Sequence, residues 1–504
     1  MRPTFLGFEA SKSALFASQK ALDITGNNLA NIATEGYTRQ RLDQVAVNYT
    51  QYSSKGYVRS RIDLAGQGVN VIGIGQTRDK QLDTAYRNQC CEIGGNSQKM
   101  AILSDLEEAL QEYDIGDTGN GYGLRNAVSN LYNALQDLAG DAGSATYATV
   151  AADAFEQIAR SLREMDAAVD EVAGKYKSDL QADVNDVNDY LAKIADLNKN
   201  IKYAIATDDY TEQYGPNELL DQRNLLLDNL ATYGELSLVR NTDGTVDVSL
   251  GGVKVVSGDK ADSIEYKENS DGTVALIWKS TGMTAEAGEG ILSAERDLLN
   301  GRGKNIKSSN ESPERGVLYY KDKLNTFAVR LTAVANTTIP DEVDADGNVI
   351  SYKKLFGAET EDGEVYPDLH LSASNIWITD ELATDVNYLL TDNGNNTDNT
   401  PIINLVAKLS NTKFEFDEFY GTFEDYINDY CTKLGSDISY ATNAYDAALE
   451  VGTTVNDMRD SVTGVSETEE TTNMLTYNRA FQAASRMMTV MDELLDVIIN
   501  QMAV

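Results

Sequence analysis

Residues 474–502 read MLTYNRAFQAASRMMTVMDELLDVIINQM, and apolar side chains recur through this stretch at alternating spacings of three and four. This period places one apolar side chain per turn on a single face of a helix and is typical of a coiled-coil seam. A lone helix would leave such a stripe in water, so the seam requires a partner. The seam consists of Met474, Tyr477, Phe481, Ala484, Met488, Met491, Leu495, Ile498 and Met502.

A matching pattern lies at the other end of the chain, over residues 4–33. Four large apolar residues, Phe8, Leu15, Leu22 and Leu29, recur seven apart. A row of small residues, Ala10, Ala14, Ala17 and Ala21, leads to Ile24 on another side of the same helix. Two separate contact faces imply two neighbours. We expect the chain ends to lie side by side, with the row that begins at Phe8 against the C-terminal seam.

Long helical patterns fill most of the interval between the ends. Residues 151–206 keep a heptad that slips one register near Lys177 to Val184, and a helix of that length would reach about 80 Å. Further helical periodicity occupies residues 79–112, 122–139, 317–337, 402–411 and 418–456.

The period changes to two near residue 235. Alternating apolar residues flank Asp243-Gly244 and again Asp271-Gly272, which predicts two antiparallel hairpins within residues 235–292. Residues 341–399 are rich in carboxylates, with Lys353 and Lys354 as their lysines, and this composition predicts loops around short strands.

These patterns predict a mainly α protein with inserted β structure. The terminal helices pair as a coiled coil, a long helical bundle follows, and a small antiparallel β domain is inserted centrally. The expected domains are a terminal helical domain (residues 1–75 and 460–504), a helical bundle (76–234, 293–340 and 400–459), the β domain (235–292) and an acidic loop-rich insertion (341–399).

Charge restricts the possible partners. Lysine and arginine total 42 against 79 acids, a net charge of -37, so a nucleic acid would be repelled and is not expected as a ligand. We expect no membrane span, because about eighteen consecutive apolar residues occur nowhere in the chain. The first ten residues lack the apolar core of a cleavable signal peptide.

The residue types that most catalytic sites need are sparse. A single histidine, His370, excludes zinc motifs built on two histidines, and nucleophile elbows and phosphate loops are absent from the sequence. Residues 342–347 have the acid spacing of a calcium loop, but Lys353 occupies the position of the bidentate glutamate, so an Asp-Gly turn is the better interpretation. We predict a non-enzyme with no catalytic residue, metal or cofactor.

The segment ALDITGNNLANIATEGYTRQ, residues 21–40, resembles the N-terminal signature of the axial proteins of the bacterial flagellum, which form its rod, hook and hook-associated parts. Asn27, Asn28 and Asn31 add directional hydrogen bonds to an apolar helix face. We expect Gly36 to supply the left-handed residue that ends the helix, with Tyr37 packing back onto it.

Three further stretches resemble the hook-associated members of this family. They are residues 66–71 with Arg78-Asp79 and Tyr86-Arg87-Asn88, the PNELLDQR segment at 216–223, and the C-terminal residues 469–495. One departure concerns residues 466–470, Ser-Glu-Thr-Glu-Glu, where the family usually has Ser-x-Asp-Glu-Glu. A capping acid is therefore lost, and we expect a less fixed helix start.

The resemblance implies a structural adaptor that joins hook to filament, with terminal helices forming an inner tube and central modules projecting outward. The implied partners are further copies of the chain in a ring or tube, the flagellar hook protein, a second hook–filament junction protein, and an export chaperone before secretion. The implied location is extracellular, at the hook–filament junction, reached by type III export without a cleaved signal. The alternatives are the hook protein or another axial subunit and, more distantly, a secreted hydrolase on a helical stalk.

Overall fold

The computed structural model describes residues 4–47, 68–110, 123–207, 214–344, 348–367, 369–390 and 398–497. The chain divides into two compact units. The first contains Met1–Glu92, Asp186–Ser263 and Ala448–Val504, and the second contains Ile93–Asn185 and Ile264–Ala447. The division falls within three long helices and between the two predicted hairpins, and the four domain boundaries drawn from the sequence remain a prediction.

Helices dominate the described residues, which confirms the expected fold class. Their bounds are α1 Thr4–Ala30, α2 Lys80–Leu110, α3 Leu124–Gly140, α4 Ala145–Thr207, α5 Asn217–Leu230, α6 Ile291–Leu299, α7 Val317–Ala335, α8 Asp380–Thr384, α9 Thr400–Ser410, α10 Phe423–Thr463 and α11 Glu467–Asp496. A short 3-10 helix covers Val386–Leu389.

The strands are short, and those described pair antiparallel. Their bounds are β1 Gln40–Ala46, β2 Val69–Gln76, β3 Leu236–Arg240, β4 Val246–Leu250, β5 Val253–Ser257, β6 Lys260–Ala261, β7 Ile264–Glu268, β8 Val274–Trp278, β9 Pro340–Val343, β10 Val349–Tyr352, β11 Phe356–Glu359, β12 Val365–Tyr366, β13 Ile376–Ile378, β14 Phe414–Phe416 and β15 Phe419–Gly421. Both predicted hairpins form, as β3–β4 and β7–β8, and two further strands extend the first into a four-stranded sheet.

The first unit pairs α1 with α11, as the two terminal patterns predict. The helices run antiparallel, because Gly7 at the start of α1 lies against Met491 and Asn28 at its end bonds Glu470. The hairpin β1–β2 also packs on α1, where the Val69 amide donates to Ser13 Oγ at 3.2 Å.

On α1, the two contacts with α11 that the structure gives atom by atom lie one position before members of the expected row, and the contacts of that row stay a prediction. Gly7 and Asn28 define the line that faces α11, and Ala21 on the same line is 4% exposed. The residues one position later, Phe8, Leu15, Leu22 and Leu29, are half-buried beside this line. Small residues let two helix backbones approach closely, whereas our sequence argument assigned the contact to the larger side chains.

Helix α4 continues without a break through the predicted register slip. Its 63 residues correspond to about 95 Å of helix. Phe155, Ile158, Leu162 and Met165 are buried before the slip, and Val187, Leu191 and Ile194 are buried after it. The buried line therefore rotates around the helix while the helix itself stays regular.

An aromatic cluster holds together α7, α10 and the hairpin β14–β15 in the second unit. The rings of Phe416 and Tyr426 stack with centroids 4.4 Å apart, and Phe327 meets Phe423 edge-on at 5.2 Å. All four side chains are fully buried. Aromatic pairs of this kind add to the free energy gained from burying their area.

The acidic segment carries loops around the short strands β9–β13, as its composition predicts. In the calcium-like stretch, Glu342 and Asp344 are described, whereas residues 345–347 lie outside the described part of the chain.

A buried carboxyl group in the second unit has a strongly altered pKa. Glu295 on α6 is fully buried and accepts a hydrogen bond from Gln98 Nε2 at 2.7 Å. Burial and the nearby Asp183 and Asp179 raise its pKa to about 9. Because the folded state holds this proton more tightly than the unfolded chain does, stability is greatest below the ordinary glutamate pKa and falls as the pH rises toward 9.

We therefore predict that Glu295→Gln removes a pH dependence of stability. Between about pH 5 and 9 the wild type should lose up to about 1.4 kcal/mol of unfolding free energy per pH unit from this group, and the variant should lack that slope. Urea denaturation across this range measures it, and Glu286→Gln, a change at an exposed acid, serves as the control. Parallel pH profiles for Glu295→Gln and wild type would contradict the assignment.

Candidate assembly site at the chain termini

The amide of Asn28 joins three elements of the first unit. Its Nδ2 donates to the Gln40 carbonyl at 2.9 Å and to Glu470 Oε2 at 3.2 Å. Its Oδ1 accepts from the Gln40 amide at 3.0 Å and from the Tyr37 hydroxyl at 2.8 Å. Asn28 is 1% exposed, so these bonds are made away from water. One side chain thus fixes the end of α1, strand β1 and the start of α11 relative to each other.

The carboxylate of Glu470 completes this junction. Arg39 Nε donates to Glu470 Oε1 at 2.8 Å, and the Arg39 backbone amide donates to the carbonyl of Thr463 at the end of α10. Glu470 is 2% exposed, and it is paired with a guanidinium, as a buried charge requires.

The start of α11 is capped in spite of the altered sequence. Ser466 Oγ accepts from the Glu469 amide at 3.4 Å, and Arg39 Nη1 donates to the Glu469 carboxylate at 2.9 Å. Arg39 and Asn28 also hold the two glutamates that follow the cap, so the helix start keeps several bonds although the capping acid is absent.

The PNELLDQR segment forms the N-terminal half of α5 and binds the same region from the other side. Asp221 accepts from the Thr38 amide at 3.3 Å and from Gln76 Nε2 at 2.8 Å. Asn217 Nδ2 donates to the Ile74 carbonyl at 3.2 Å. Burial raises the pKa of Asp221 to about 6. Two segments that the resemblance identified separately are thus joined by hydrogen bonds.

Arg223, the last residue of this segment, is 4% exposed and makes its bonds to neutral oxygens. Its Nη1 donates at 2.8 Å to Asn198 Oδ1 and to the Gly244 carbonyl in the turn of the first hairpin. Burial, together with Arg240 and Arg87, lowers its pKa to about 10. The side chain ties α5 to α4 and to the β3–β4 turn.

Gly36 has a different role from the one expected. Helix α1 already ends at Ala30, and Gly36 lies in the following loop with φ +76°. A Cβ at this position would lie 3.2 Å from the Leu225 side chain of α5. The glycine is therefore required by a left-handed backbone and by close contact with α5.

The other polar residues of the N-terminal signature stay near the surface. Asn27 is exposed, and its Nδ2 donates to the Tyr37 hydroxyl at 3.2 Å, so Tyr37 folds back onto the end of α1 as expected. Asn31 Nδ2 donates to the Asn27 carbonyl at 2.9 Å. The run of asparagines thus contains one buried hub, Asn28, and two residues that stabilise the loop around it.

Below this junction, an ion cluster joins α2, α5 and α10. Asp228 accepts from Arg87 Nε at 2.7 Å and from Arg459 Nη2, while Asp83 pairs with Arg78 Nε at 2.7 Å and with Arg459 Nε at 3.2 Å. The five side chains are at most 12% exposed. The resemblance drew attention to Arg78 and Arg87. Sequence reasoning missed the other three members, Asp83, Asp228 and Arg459. The reason is that buried ion pairs between helices show no sequence periodicity that distinguishes them from charged residues in water.

The C-terminal seam faces α1 as far as it is described. Ala484 is 7% exposed, and the other described members are half-buried on a helix that is otherwise mostly exposed. These half-buried members are Met474, Tyr477, Phe481, Met488, Met491 and Leu495. Ile498 and Met502 lie outside the described residues.

A second apolar face on α11 was not predicted. Its members each precede a residue of the first seam, so this face is rotated from the seam by about 100°. It is exposed, with Met487 at 49% and Leu494 at 51%. The face comprises Ala480, Ala483, Met487, Val490, Leu494 and Val497. We name it the outer seam.

Two further properties concern only the described ranges. Groups of three or more histidine, cysteine, aspartate or glutamate side chains that could hold a metal ion are absent from them. The helices within these ranges also include none that combines the length and apolar character needed to cross a membrane.

Comparisons with known proteins identify the class. Residues 8–38 match the family described as "Flagella basal body rod protein", and residues 461–502 match "Flagellar basal body rod FlgEFG protein C-terminal". These two segments contain most of α1 and α11, so the paired termini are those of a flagellar axial protein. Residues 113–356 match "Flagellar hook-associated protein FlgK helical domain".

Relatives with this name align over long stretches. Flagellar hook-associated protein 1 of Bacillus subtilis is 29% identical over 534 aligned residues, covering 100% of this chain and 99% of the relative. Its namesake in Salmonella typhimurium is 23% identical over 67% of this chain and 57% of its own length. A solved structure, the flagellar hook junction protein FlgK from Burkholderia pseudomallei, aligns with 56% of this chain and 47% of its own, at 20% identity and a TM-score of 0.42. Over its whole length the chain is therefore similar to flagellar hook-associated protein 1.

We predict that Asn28→Ala uncouples the chain ends. The change removes the buried bonds of Asn28 to the Gln40 backbone and to Glu470 Oε2, while Arg39 still binds Glu470 Oε1, and each unpaired buried group costs about 1–3 kcal/mol. Hydrogen exchange should show faster exchange of the Gln40 amide and of the first turns of α11. Asn27→Ala, at an exposed neighbour whose side chain bonds Tyr37 and Asn31 but neither Gln40 nor Glu470, is the matched control. Equal protection in the two variants would contradict the role of Asn28 as the hub.

Proposed function

We propose that this chain is a structural adaptor of the bacterial flagellum that joins hook to filament, assembling as a ring or tube at the hook tip. The observation that carries the proposal is the outer seam of α11. Helix α1 covers the first seam within the chain, while the outer seam leaves large apolar side chains in water. Such a face is covered when copies of the chain pack together.

This arrangement assigns different tasks to the two faces of α11. The seam from Met474 to Leu495 holds the chain ends together, and the outer seam contacts the next copy. The half-buried Phe8, Leu15, Leu22 and Leu29 of α1 flank the internal contact, so their outer edges are available to a neighbouring copy as well. The N-terminal and C-terminal residues that we predicted as an interface therefore contribute mainly to the pairing of α1 with α11 within one chain, and to a smaller extent to the contact between copies.

The family gives the direction of assembly. Its members are named for association with the hook, so we assign one neighbour as the hook protein and the other as the second hook–filament junction protein, before flagellin is added. Before assembly the outer seam has no apolar partner, which favours an export chaperone that covers it. Passage through the type III channel of the flagellum would then place the protein outside the cell without a cleaved signal.

The alternatives are less well supported. A hook protein shares the terminal signatures, but residues 113–356 match the helical domain of hook-associated proteins. A hydrolase would need a catalytic group, and the relatives are structural flagellar proteins. We therefore propose a non-enzymatic role.

We predict that Met487→Asp blocks incorporation and leaves the fold intact. A carboxylate in a packed apolar interface costs several kcal/mol, whereas at this exposed position it costs little in the monomer. The purified variant should melt like the wild type. Cells that carry it should have hooks without filaments and release flagellin into the medium, as electron microscopy and blotting would show.

Two further variants make this test specific. Gln482→Asp, at an exposed position outside both seams, should assemble normally. Met488→Asp, in the seam against α1, should lower both the melting temperature and incorporation. Full filaments on Met487→Asp cells would disprove assembly through the outer seam.

A further inference from the structure

A surface cleft of about 560 Å³ lies in the second unit, between α4 and the segment that leads into β13. Arg160, Arg163, Asp166 and Asp170 line one side, at spacings of three and four that place them along one helix face. Ser374 and Trp377 line the other side. The volume lies in the range of small-molecule sites.

Asp166 is buried without full compensation of its polar atoms. It is 2% exposed, and its Oδ1 has no hydrogen-bond partner among the described residues. The nearest cation, Lys321 Nζ, is 3.7 Å from Asp166 Oδ2 and lies closer to Asp170, at 2.6 Å. Burial raises the pKa of Asp166. A buried acceptor without a donor costs free energy that a ligand hydroxyl could recover.

Trp377 supplies an aromatic wall. It is half-buried in β13, and the guanidinium carbon of Arg163 lies 5.0 Å from its ring centroid. Arg163 is itself held by Glu359 Oε2 at 2.5 Å. The indole is thus fixed in place by a neighbour that is also anchored, which is the preorganisation that a binding site requires.

The charges of the cleft restrict the class of ligand. Arg160 and Arg163 line the cleft together with the carboxylates of Glu164, Asp166 and Asp170. An anion would meet three carboxylates, a cation would meet two guanidinium groups, and a purely apolar molecule would leave Asp166 unpaired. A neutral polyhydroxyl ring avoids all three costs, because each hydroxyl both donates and accepts and the C–H face of the ring can lie on an indole.

We propose that this cleft binds a neutral carbohydrate, which packs against the part of the Trp377 indole that Arg163 leaves uncovered and donates from its hydroxyl groups to Asp166. The inference is independent of the role in joining hook to filament, since it uses residues of the second unit alone. It gives the protein a carbohydrate-binding function in addition to its structural one.

Calorimetric titration of the full-length chain tests this proposal. Maltose, lactose and N,N′-diacetylchitobiose are the neutral probes, and glucosamine and glucuronate are the cationic and anionic ones. At least one neutral probe should bind with a millimolar or lower Kd and more tightly than either charged sugar. It should also perturb tryptophan fluorescence, because the only other tryptophan, Trp278, is fully buried.

Variants then assign the binding to the cleft. Trp377→Ala should weaken the affinity about tenfold or more, and Asp166→Asn about fivefold. Tyr440→Ala, which removes an aromatic ring that is 77% exposed elsewhere in the second unit, should leave the affinity unchanged. Circular dichroism melts verify that each variant is folded. The proposal is overturned if none of the neutral sugars binds, if a charged sugar binds more tightly, or if either cleft variant retains wild-type affinity.

Discussion

The hydrogen bond between Asn28 and Glu470 links groups that are 442 residues apart in the chain, and the organisation of the first unit depends on it. Both side chains are removed from water, and the Asn28 amide supplies a donor to Glu470 Oε2 while Arg39 binds Glu470 Oε1. Because Asn28 also binds both backbone groups of Gln40, the docking of α11 and the path of the chain from α1 into β1 are coupled. The contact can form only after nearly the whole chain is present, because its two partners lie close to opposite ends of the sequence.

Close packing of α1 on α11 follows from small residues on α1. Gly7 touches Met491, and a Cβ at Gly7 would lie 2.8 Å from the Met491 Cε atom, so the two backbones meet where side chains are smallest. A narrow contact of this kind covers a single face of α11. The other apolar face of α11, the outer seam, stays exposed in the single chain, and it is the face that the proposed function assigns to contact between copies.

Periodicity predicted the helices and hairpins well, because burial of one face imposes its spacing on the sequence. Asp243-Gly244 and Asp271-Gly272 located both hairpins, and the heptads located α4 and α11. The contacts of Gly7 and Asn28 with α11 were not predicted, because glycine and asparagine carry no hydrophobic signal. Asp228 and Arg459 were missed because an ion pair between distant helices leaves no local pattern. The cleft at Trp377 was missed because it combines residues of α4 with a segment about two hundred positions later in the chain.

The buried charges around Asp228 contribute more to the definition of the fold than to its stability. Three arginines and two aspartates share the cluster, so one positive charge remains without a full partner, and Arg223 nearby on α5 bonds only neutral oxygens. An apolar cluster of similar volume would often be at least as stable. Such an apolar cluster would, however, tolerate sliding of one helix on another. Asp228 can bind Arg87 and Arg459 together only when α2, α5 and α10 are in one particular register. Because Arg459 lies four residues before Thr463, whose carbonyl accepts from Arg39, the same register sets the position from which α11 begins. The ion cluster thus places the start of the helix that carries the outer seam.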